Sequence, residues 1–321
     1  MTAAVALIIA NGGRGRAVPI SQADSVGLLA WHQAREYMLQ LINTDRASKG
    51  LKPVALDDSA GTAAQKHAEE MATQVYLSHY NGEGRLPDQR YTEAGGRDRV
   101  QENVFLAAGN KAKNAVPLSL IKEPLFRKRD LEDIQAAYFN QTPPYDLHRR
   151  NILDPHHTHV GIGLARAVGD YGQAVTNAQE FVAKCVDVEP IPLESIVGAA
   201  LTVSGRMKDG FELHSVEIAR DELPRPKDRS ELENGRPYRT PDSFATYFPD
   251  YHQPDRRVAM QPDGRFRAVL NLSDNGKPGV YYVRVRVRAA DGARFIGSQR
   301  TVIVRSADPN AVGTRTNDQR P

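Results

Sequence analysis

The sequence predicts two folded domains of different class, an α+β domain followed by an all-β sandwich domain. In the first half, apolar residues recur every three or four positions, as in amphipathic helices, and these stretches alternate with strand-like runs. In the second half apolar residues alternate with polar ones, and no helical period appears. A chain of 321 residues is long for one domain. The predicted parts are a lead-in (1–27), an α+β domain (28–189), a β-sandwich domain (190–306) with a long insert (222–255), and a disordered tail (307–321).

The first domain begins with two predicted helices. One runs from Leu28 to Ser48 with a single apolar stripe, and the other runs from Ala60 to about Tyr76 after the N-capping run Asp57-Asp58-Ser59. His67 lies on the apolar side of the second helix, where a hydrogen-bonded core histidine is the ordinary interpretation. Two shorter helices are predicted at 88–93 and 131–139.

Strand-like runs dominate the second domain. The predicted strands are 196–203, 211–219, 266–272, 280–288 and 294–304, and 179–188 is predicted as one further strand before the linker. Several short strands joined by turns predict an immunoglobulin- or fibronectin-like sandwich. Within 280–288 the arginines alternate with apolar residues, which predicts one buried and one wet face. The Pro- and Tyr-rich insert is long for a connection and is predicted to be a binding loop or disordered.

The charge and cysteine content exclude several classes of protein. The chain has 42 basic and 39 acidic residues and no long basic block, which argues against nucleic-acid binding. Cys185 is the only cysteine, so neither an intrachain disulfide nor a multi-cysteine zinc site can form. Its strand-like surroundings favour a small buried side chain over a nucleophile.

The N-terminal run from Ala3 to Ala10 is apolar but too short to span a bilayer. It resembles the apolar part of a signal peptide without the usual positive charges before it. We therefore expect a secreted or cell-envelope protein without a transmembrane segment.

Three polar segments lie between apolar runs of the first domain. They are Ser78-His79-Tyr80, Gln101-Glu102-Asn103-Val104 and His148-Arg149-Arg150-Asn151-Ile152-Leu153. Two neutral imidazoles can hold a zinc ion, and a nearby carboxylate can ligate it or fix a ring tautomer. His157 and His159 form a second candidate pair of ligands, for which a solvated strand entry is the alternative.

Together with further motifs, these segments resemble the CAP superfamily: cysteine-rich secretory proteins, antigen 5 and pathogenesis-related 1 proteins, whose common unit is also called the SCP domain. The resemblance covers residues 38–188 and is closest to the disulfide-free bacterial branch. The further motifs are Leu41-Ile42-Asn43-Thr44-Asp45-Arg46 with Gly50-Leu51, Ala64-Gln65-Lys66-His67-Ala68-Glu69-Glu70-Met71-Ala72, Gly82 or Gly84, Arg90-Tyr91 and Val160-Gly161-Ile162-Gly163. The resemblance implies an α-β-α sandwich with a central, largely antiparallel sheet and a cavity lined by two histidines and two acidic residues.

Carried over to this chain, the resemblance places His79, Glu102 and His148 in the cavity. His79 and His148 would be the metal ligands, and with only two of them a zinc ion would be weakly held and exchangeable. The family's second glutamate lies in a Trp-containing helix before the second histidine. That segment here reads Ala137-Tyr138-Phe139-Asn140-Gln141, without a Trp or a carboxylate in register, and Leu147 replaces the usual glycine.

Three functions follow as hypotheses. The first is an exported binding protein whose cleft takes a lipid, a peptide or a protein, with the β-sandwich domain binding another envelope component. The second is a metal-dependent protease or esterase in which Glu102 acts on a metal-bound water. The third is a structural protein of the cell envelope.

Overall fold

The computed structural model describes residues 6–7, 27–109, 112, 117–170, 172–234 and 238–306. The predicted tail and nearly all of the predicted lead-in lie outside the described residues. The chain divides into two compact units, the first ending at Lys184 and also including Arg225–Thr240, the second comprising the rest from Cys185 onward.

The first unit contains both helices and strands and is an α+β domain, as the sequence predicts. Its helices are α1 (Trp31–Ala47), α2 (Asp58–Gln74), α3 (Pro87–Glu93), α4 (Lys128–Phe139), α5 (Leu147–Leu153) and α6 (Arg229–Glu233). Its strands are β1 (Ala6–Leu7), β2 (Leu28–Ala30), β3 (Ala55–Leu56), β4 (Arg99–Ala108), β5 (Ser119–Leu120), β6 (Leu125–Arg127), β7 (His159–Gly169) and β8 (Gly172–Ala183). The first predicted helix begins later than expected because residues 28–30 pair with β6.

The main sheet has the strand order β1-β4-β8-β7-β3, with β5 also paired to β7. Its long central pairs, β4 with β8 and β7 with β8, are antiparallel. In this register Glu102 of β4 lies directly opposite Glu180 of β8. Because facing residues in antiparallel strands share a face of the sheet, the two carboxyl groups point to the same side.

Helices cover both faces of this sheet. On one face, α2 contributes Ala64, Ala68 and Met71 to a cluster with β4 and β7 residues. On the other, Met38 of α1 and Ile134 of α4 pack with sheet residues. Strand β7 can approach α2 closely because two of its residues are glycines. A Cβ on Gly161 or Gly163 would lie 2.1 or 2.2 Å from the α2 backbone. The glycines of this motif are therefore required by helix–sheet packing.

The second unit is β-rich, as predicted. Its strands are β9 (Val186–Val188), β10 (Glu194–Ile196), β11 (Ala200–Met207), β12 (Phe211–Asp221), β13 (Ser243–Tyr247), β14 (Ala259–Met260), β15 (Arg265–Asn271), β16 (Gly279–Ala289) and β17 (Arg294–Arg305). They form a five-stranded sheet, β10-β17-β16-β12-β13, and a four-stranded sheet, β14-β15-β11-β9. One apolar cluster, which includes Val203, Leu270 and Val285, joins residues of both sheets.

Three local predictions for this half are wrong in detail. The run 179–188 is not one strand, because β8 ends at Ala183 and β9 pairs with β11. The run 196–203 likewise divides between β10 and β11. The arginine face of β16 is not fully wet: Arg284 is buried and donates from Nε to Oε1 of Gln299 at 2.6 Å. Alternation of residue types does not reveal that an arginine has a buried partner.

Candidate functional site

The centre of the candidate site is a buried chain of three polar side chains. His79, which follows α2, lies with Nδ1 2.8 Å from Oε1 of Glu102 on β4. Arg90 of α3 donates from NH2 to Oε2 of the same carboxylate at 2.5 Å and from NH1 to the His79 carbonyl at 2.7 Å. A carboxylate can only accept, so in the neutral ring the His79 proton sits on Nδ1 and Nε2 carries the lone pair.

Glu102 is ionised in this setting. Burial would raise its pKa, but the charge of Arg90 and the hydrogen bond from His79 outweigh burial and hold the pKa at about 2. Burial would lower the pKa of the Arg90 guanidinium, but the charge of Glu102 outweighs burial and raises it. Such a buried pair orients His79 rigidly, and a carboxylate of this low pKa is a weak base.

A network of amide side chains joins β4 to α5 and so brings His148 towards Glu102 and His79. Asn103, fully buried, donates to the His148 carbonyl at 3.2 Å and accepts from Nδ2 of Asn151 at 2.8 Å. Asn151 also donates to the Glu102 carbonyl at 3.2 Å. The Asn residues of the second and third polar segments therefore hold the two segments together.

Arg46 of α1 fixes the other end of α5. Its guanidinium is fully buried and donates to four backbone carbonyls, those of Lys52, Ile152, Asp154 and His157, at 2.6–3.2 Å. The guanidinium group is rigid and planar, and it donates to carbonyls on both sides of the C-terminal end of α5. This fixes the position of α5 relative to α1.

Gln141 determines which ring nitrogen of His148 carries the proton. The backbone N–H of His148 donates to Oε1 of Gln141 at 3.2 Å, which orients the amide group, and Nε2 of Gln141 then lies 2.6 Å from Nδ1 of His148. Nδ1 must accept from this N–H, so the neutral ring carries its proton on Nε2. Among the described residues this buried Nε2 has no hydrogen-bond partner.

His148 is neutral at physiological pH. Burial, and then the charge of His79, lower its pKa to about 4, and the charge of Glu102 acts in the opposite direction. The imidazole is 2% exposed and packs against the ring of Tyr138 with centroids 5.1 Å apart. The structure thus hydrogen-bonds Glu102 to His79 and places His148 within reach of their charges.

Glu180 is a second buried acid near this site. Burial, and then the neighbouring charge of Glu102, raise the pKa of Glu180 well above its ordinary value, so the group is a neutral acid. Neither of its oxygens has a hydrogen-bond partner among the described residues. The family resemblance implies a second acid in the segment before His148, but the buried acid opposite Glu102 in the sheet register lies on β8.

Residues 225–240 are named the strap here, and among its described residues Tyr238 lies against His79. The ring of Tyr238 meets the imidazole of His79 edge to face, with centroids 5.3 Å apart, and meets Tyr80 at 6.4 Å. Burial raises the pKa of the Tyr238 phenol well above its ordinary value. The described part of the strap therefore contributes an aromatic wall to the site.

Of the two expected zinc ligands, His79 is arranged to bind a metal ion and His148 is not. Within the described ranges, no group of three or more His, Cys, Asp and Glu side chains is arranged to hold a metal ion. His79 has the arrangement of a metal ligand, since its second nitrogen donates to a carboxylate. His148 has the opposite arrangement, because ligation through Nε2 would require the proton to move to Nδ1, where Gln141 already donates.

Three other histidines that the sequence singles out make contacts of a structural kind. His67 is buried and donates from Nε2 to the Ser78 carbonyl at 2.8 Å, which agrees with a hydrogen-bonded core histidine. His157 donates from Nδ1 to the Asn151 carbonyl at 2.8 Å, and His159 faces the Thr158 hydroxyl. These contacts favour a structural pair over a pair of metal ligands.

Sequence reasoning did not assign roles to Arg90, Gln141, Glu180 and Tyr238. Arg90 was visible only as part of a motif, and Gln141 only as the residue without a carboxylate. If the predicted strand 179–188 is paired in this register with the apolar run that begins at Glu102, Glu180 is indicated as the second acid. No local pattern indicates that Tyr238 meets His79.

The family comparison lies almost wholly in the first unit. The CAP, or cysteine-rich secretory protein, family model matches residues 39–185, just under half of the chain. The uncharacterized protein YkwD of Bacillus subtilis (strain 168) is 25% identical over 131 residues, which are 40% of this chain and 42% of YkwD. An extracellular protein containing an SCP domain from Bacillus anthracis str. Ames is 19% identical, with 44% of this chain and 39% of that chain covered and a TM-score of 0.30.

The structure of MpPR-1i, soaked with selenourea, is 15% identical, with 46% of this chain and 88% of that chain covered and a TM-score of 0.29. The chain spans about two fifths of the length of the two Bacillus relatives. The matched residues include all three polar segments and the only cysteine, so no intrachain disulfide can form. Residues 39–185 of this chain are a CAP domain of the cysteine-rich secretory protein family.

Proposed function

We propose that the chain is an exported binding protein whose CAP domain recognises a polar group of its ligand through His79, Glu102 and His148. The observation that carries this proposal is the pairing of opposite roles: Glu102 leaves a lone pair on Nε2 of His79, and Gln141 leaves a proton on Nε2 of His148. A hydroxyl or amide group can donate to the first and accept from the second. Lipids, peptides and proteins all offer such groups.

The unsatisfied His148 donor supports a ligand at this place. A buried N–H without a partner costs about 1–3 kcal/mol, and a ligand that accepts from it recovers that free energy.

The metal-dependent hydrolase has less support. Its mechanism requires Glu102 as the base, but both carboxylate oxygens are engaged and the pKa is about 2. The zinc site stays a prediction that a zinc titration tests. The structural envelope protein is the third candidate, and it predicts no ligand dependence on any of the three residues.

The test compares binding by four single variants of the full chain. Labelled protein is applied to phosphatidylglycerol vesicles and to a peptide array. We expect His79→Ala, Glu102→Gln and His148→Ala each to weaken binding at least tenfold. His32→Ala, which changes an exposed histidine of α1, leaves binding unchanged. Equal binding by all four variants contradicts the proposal, and ester or peptide hydrolysis that Glu102→Gln abolishes would favour the hydrolase.

The proposal extends to the location of the protein and to the second unit. No helix within the described ranges has the length and apolarity needed to cross a membrane. Export is supported by the relative from Bacillus anthracis, which is an extracellular protein. The two packed sheets of the second unit are consistent with an immunoglobulin- or fibronectin-like sandwich, for which we propose binding to another envelope component.

A further inference from the structure

The strap is longer than the sheet of the second unit requires. It lies in the connection between β12, which ends at Asp221, and β13, which begins at Ser243. These two strands are antiparallel neighbours. Such neighbours are usually joined by loops of about 2–5 residues, and much longer connections are usually functional. The extra length therefore needs an explanation outside the sheet.

Three residues of the strap, Leu232, Lys227 and Tyr238, contact the rest of the first unit. Leu232 is 5% exposed and belongs to the apolar cluster of α2. The Lys227 backbone N–H donates to the Gly82 carbonyl at 2.8 Å, and Nζ of Lys227 lies 4.8 Å from the centre of the Tyr80 ring. The third contact is that of Tyr238 with His79. The contacts combine a buried apolar side chain, a backbone hydrogen bond, a cation and an aromatic ring.

Gly84 is shaped to receive the strap. A Cβ at this position would lie 2.2 Å from the Arg225 carbonyl oxygen. The backbone is also left-handed there, with φ of +78°. A glycine is thus needed both for the turn and for the close approach of the strap backbone.

The strap also carries its own local structure. Asp228 accepts from the Glu231 N–H at 2.9 Å, Glu231 accepts from the Asp228 N–H at 3.1 Å, and this capping box begins α6. Glu231 forms an ion pair with Arg225 as well. Local bonds thus help to preorganise the strap, which lowers the entropy cost of its docking.

We propose that the strap is an internal occupant of a peptide-binding surface formed by His79, Tyr80, Gly82 and Gly84 and the α2 cluster. The natural ligand is a peptide with a basic residue, a leucine-like residue on a helical turn and an aromatic residue, and it binds when it replaces the strap. This inference rests on the proposed function and names the ligand class of that site. A lipid lacks the backbone N–H that the Gly82 carbonyl accepts, so the contacts favour a peptide.

Covalent connection makes the strap a strong competitor. A tethered segment acts at an effective concentration that reaches the millimolar range for flexible links. An added peptide therefore binds weakly to the wild-type chain and more tightly once the anchors of the strap are removed.

The test uses a fluorescein-labelled synthetic peptide of residues 222–242 and the full-length chain. Fluorescence anisotropy compares wild type, the double variant Leu232→Ser/Tyr238→Ala, and Ser230→Ala, which changes an exposed residue of α6. We expect the double variant to bind the peptide at least tenfold more tightly than wild type and Ser230→Ala to match wild type. A scrambled peptide should bind none of them. Equal binding by the double variant and wild type, with native circular dichroism, overturns the inference.

A pair of glycine variants keeps the test independent of the anchors. In the double variant, Gly84→Ala should abolish peptide binding because of the Arg225 contact, whereas Gly50→Ala should not. Gly50 has a similar φ of +70° and open space around it, so it reports backbone strain alone. Peptide binding that survives Gly84→Ala contradicts the inference. If the double variant fails to bind the peptide but binds the vesicles in a His79- and His148-dependent way, this inference is wrong and the proposed function stands.

Discussion

At the scale of single residues, the chemistry of the site depends on which nitrogen of each imidazole carries the proton. Glu102 accepts from His79, whereas Gln141 donates to His148. The two histidines therefore have opposite tautomers although both are buried beside the same sheet. A carboxylate in place of Gln141 would reverse the second tautomer, because it could accept from both Nδ1 and the backbone N–H of His148.

This reversal predicts a gain of metal binding. In Gln141→Glu, Nε2 of His148 should carry a lone pair, and we expect the dissociation constant for Zn²⁺ to fall at least tenfold from the wild-type value. Isothermal titration calorimetry measures it. Gln33→Glu, which adds the same charge at an exposed position of α1, is the matched control. If both variants bind zinc like wild type, the assigned tautomer of His148 does not control ligation.

At the scale of elements, a few buried side chains position the helices that carry the site. Asn43 of α1 exchanges two hydrogen bonds with the backbone of Val54, at 2.8 and 3.0 Å. Arg46, one turn later, holds the carbonyls around the end of α5. The motif that contains both residues is thus explained by the attachment of α1 to the loops and helices on either side of the site.

Arg46→Lys tests this attachment. A lysine cannot reach four carbonyls with a planar fork, so several buried acceptors lose their partner, at about 1–3 kcal/mol for each such group. We expect the free energy of unfolding, measured in urea, to fall by about 2–4 kcal/mol in total because the groups relax partly. The exposed Arg129→Lys on α4 should have no measurable effect. If Arg46→Lys lowers the free energy of unfolding by less than about 1 kcal/mol, the hydrogen bonds of the Arg46 guanidinium are not what positions α5.

At the scale of the whole molecule, the buried titratable groups determine how stability depends on pH. The folded pKa values of His148 and His157 are about 4 and that of His67 is about 3, mainly because of burial, against an ordinary 6.5. Below pH 6.5 the unfolded chain binds protons that the folded chain does not, so stability falls as the pH falls. Glu102 adds a further loss as the pH falls from its ordinary 4.5 to about 2.

Glu180 acts in the opposite direction. Its raised pKa means that the folded chain keeps a proton that the unfolded chain releases above pH 4.5, so this group costs stability as the pH rises. Each such group changes the free energy of unfolding by at most about 1.4 kcal/mol per pH unit. The three histidines together therefore outweigh Glu180 between pH 6 and pH 5.

We accordingly expect the free energy of unfolding to fall by about 2–3 kcal/mol from pH 6 to pH 5. The histidines lower it by about 4 kcal/mol, and Glu180 raises it by about 1.4 kcal/mol. Urea denaturation at each pH measures it. Glu180→Gln should be more stable than wild type at pH 7, and this advantage should disappear near pH 4.5. A stability that does not change between pH 6 and pH 5 would contradict the assignment of the neutral buried histidines.

The sequence by itself determined the class and order of the parts. Apolar spacing predicted α1, α2 and α4 within a few residues, and alternation predicted most strands of the second unit, because both patterns report which face of a local element is buried. The three polar segments were recognisable for the same reason, since each interrupts an apolar run. The short helix α5 was not predicted, because its seven residues show no period and no glycine marks its end, as Gly95-Gly96 does for α3.

Only the tertiary structure decided which of these residues meet. Glu180 lies 78 positions beyond Glu102 along the chain and opposite it in the sheet, a consequence of strand register. Gln141 meets His148 through a turn between helices, and Tyr238 reaches His79 from a connection between two strands of the other unit. Local periodicity depends on neighbours three or four residues away, whereas these contacts depend on how strands pair and how chain segments close on each other. The tautomers and the covered site follow from those distant contacts.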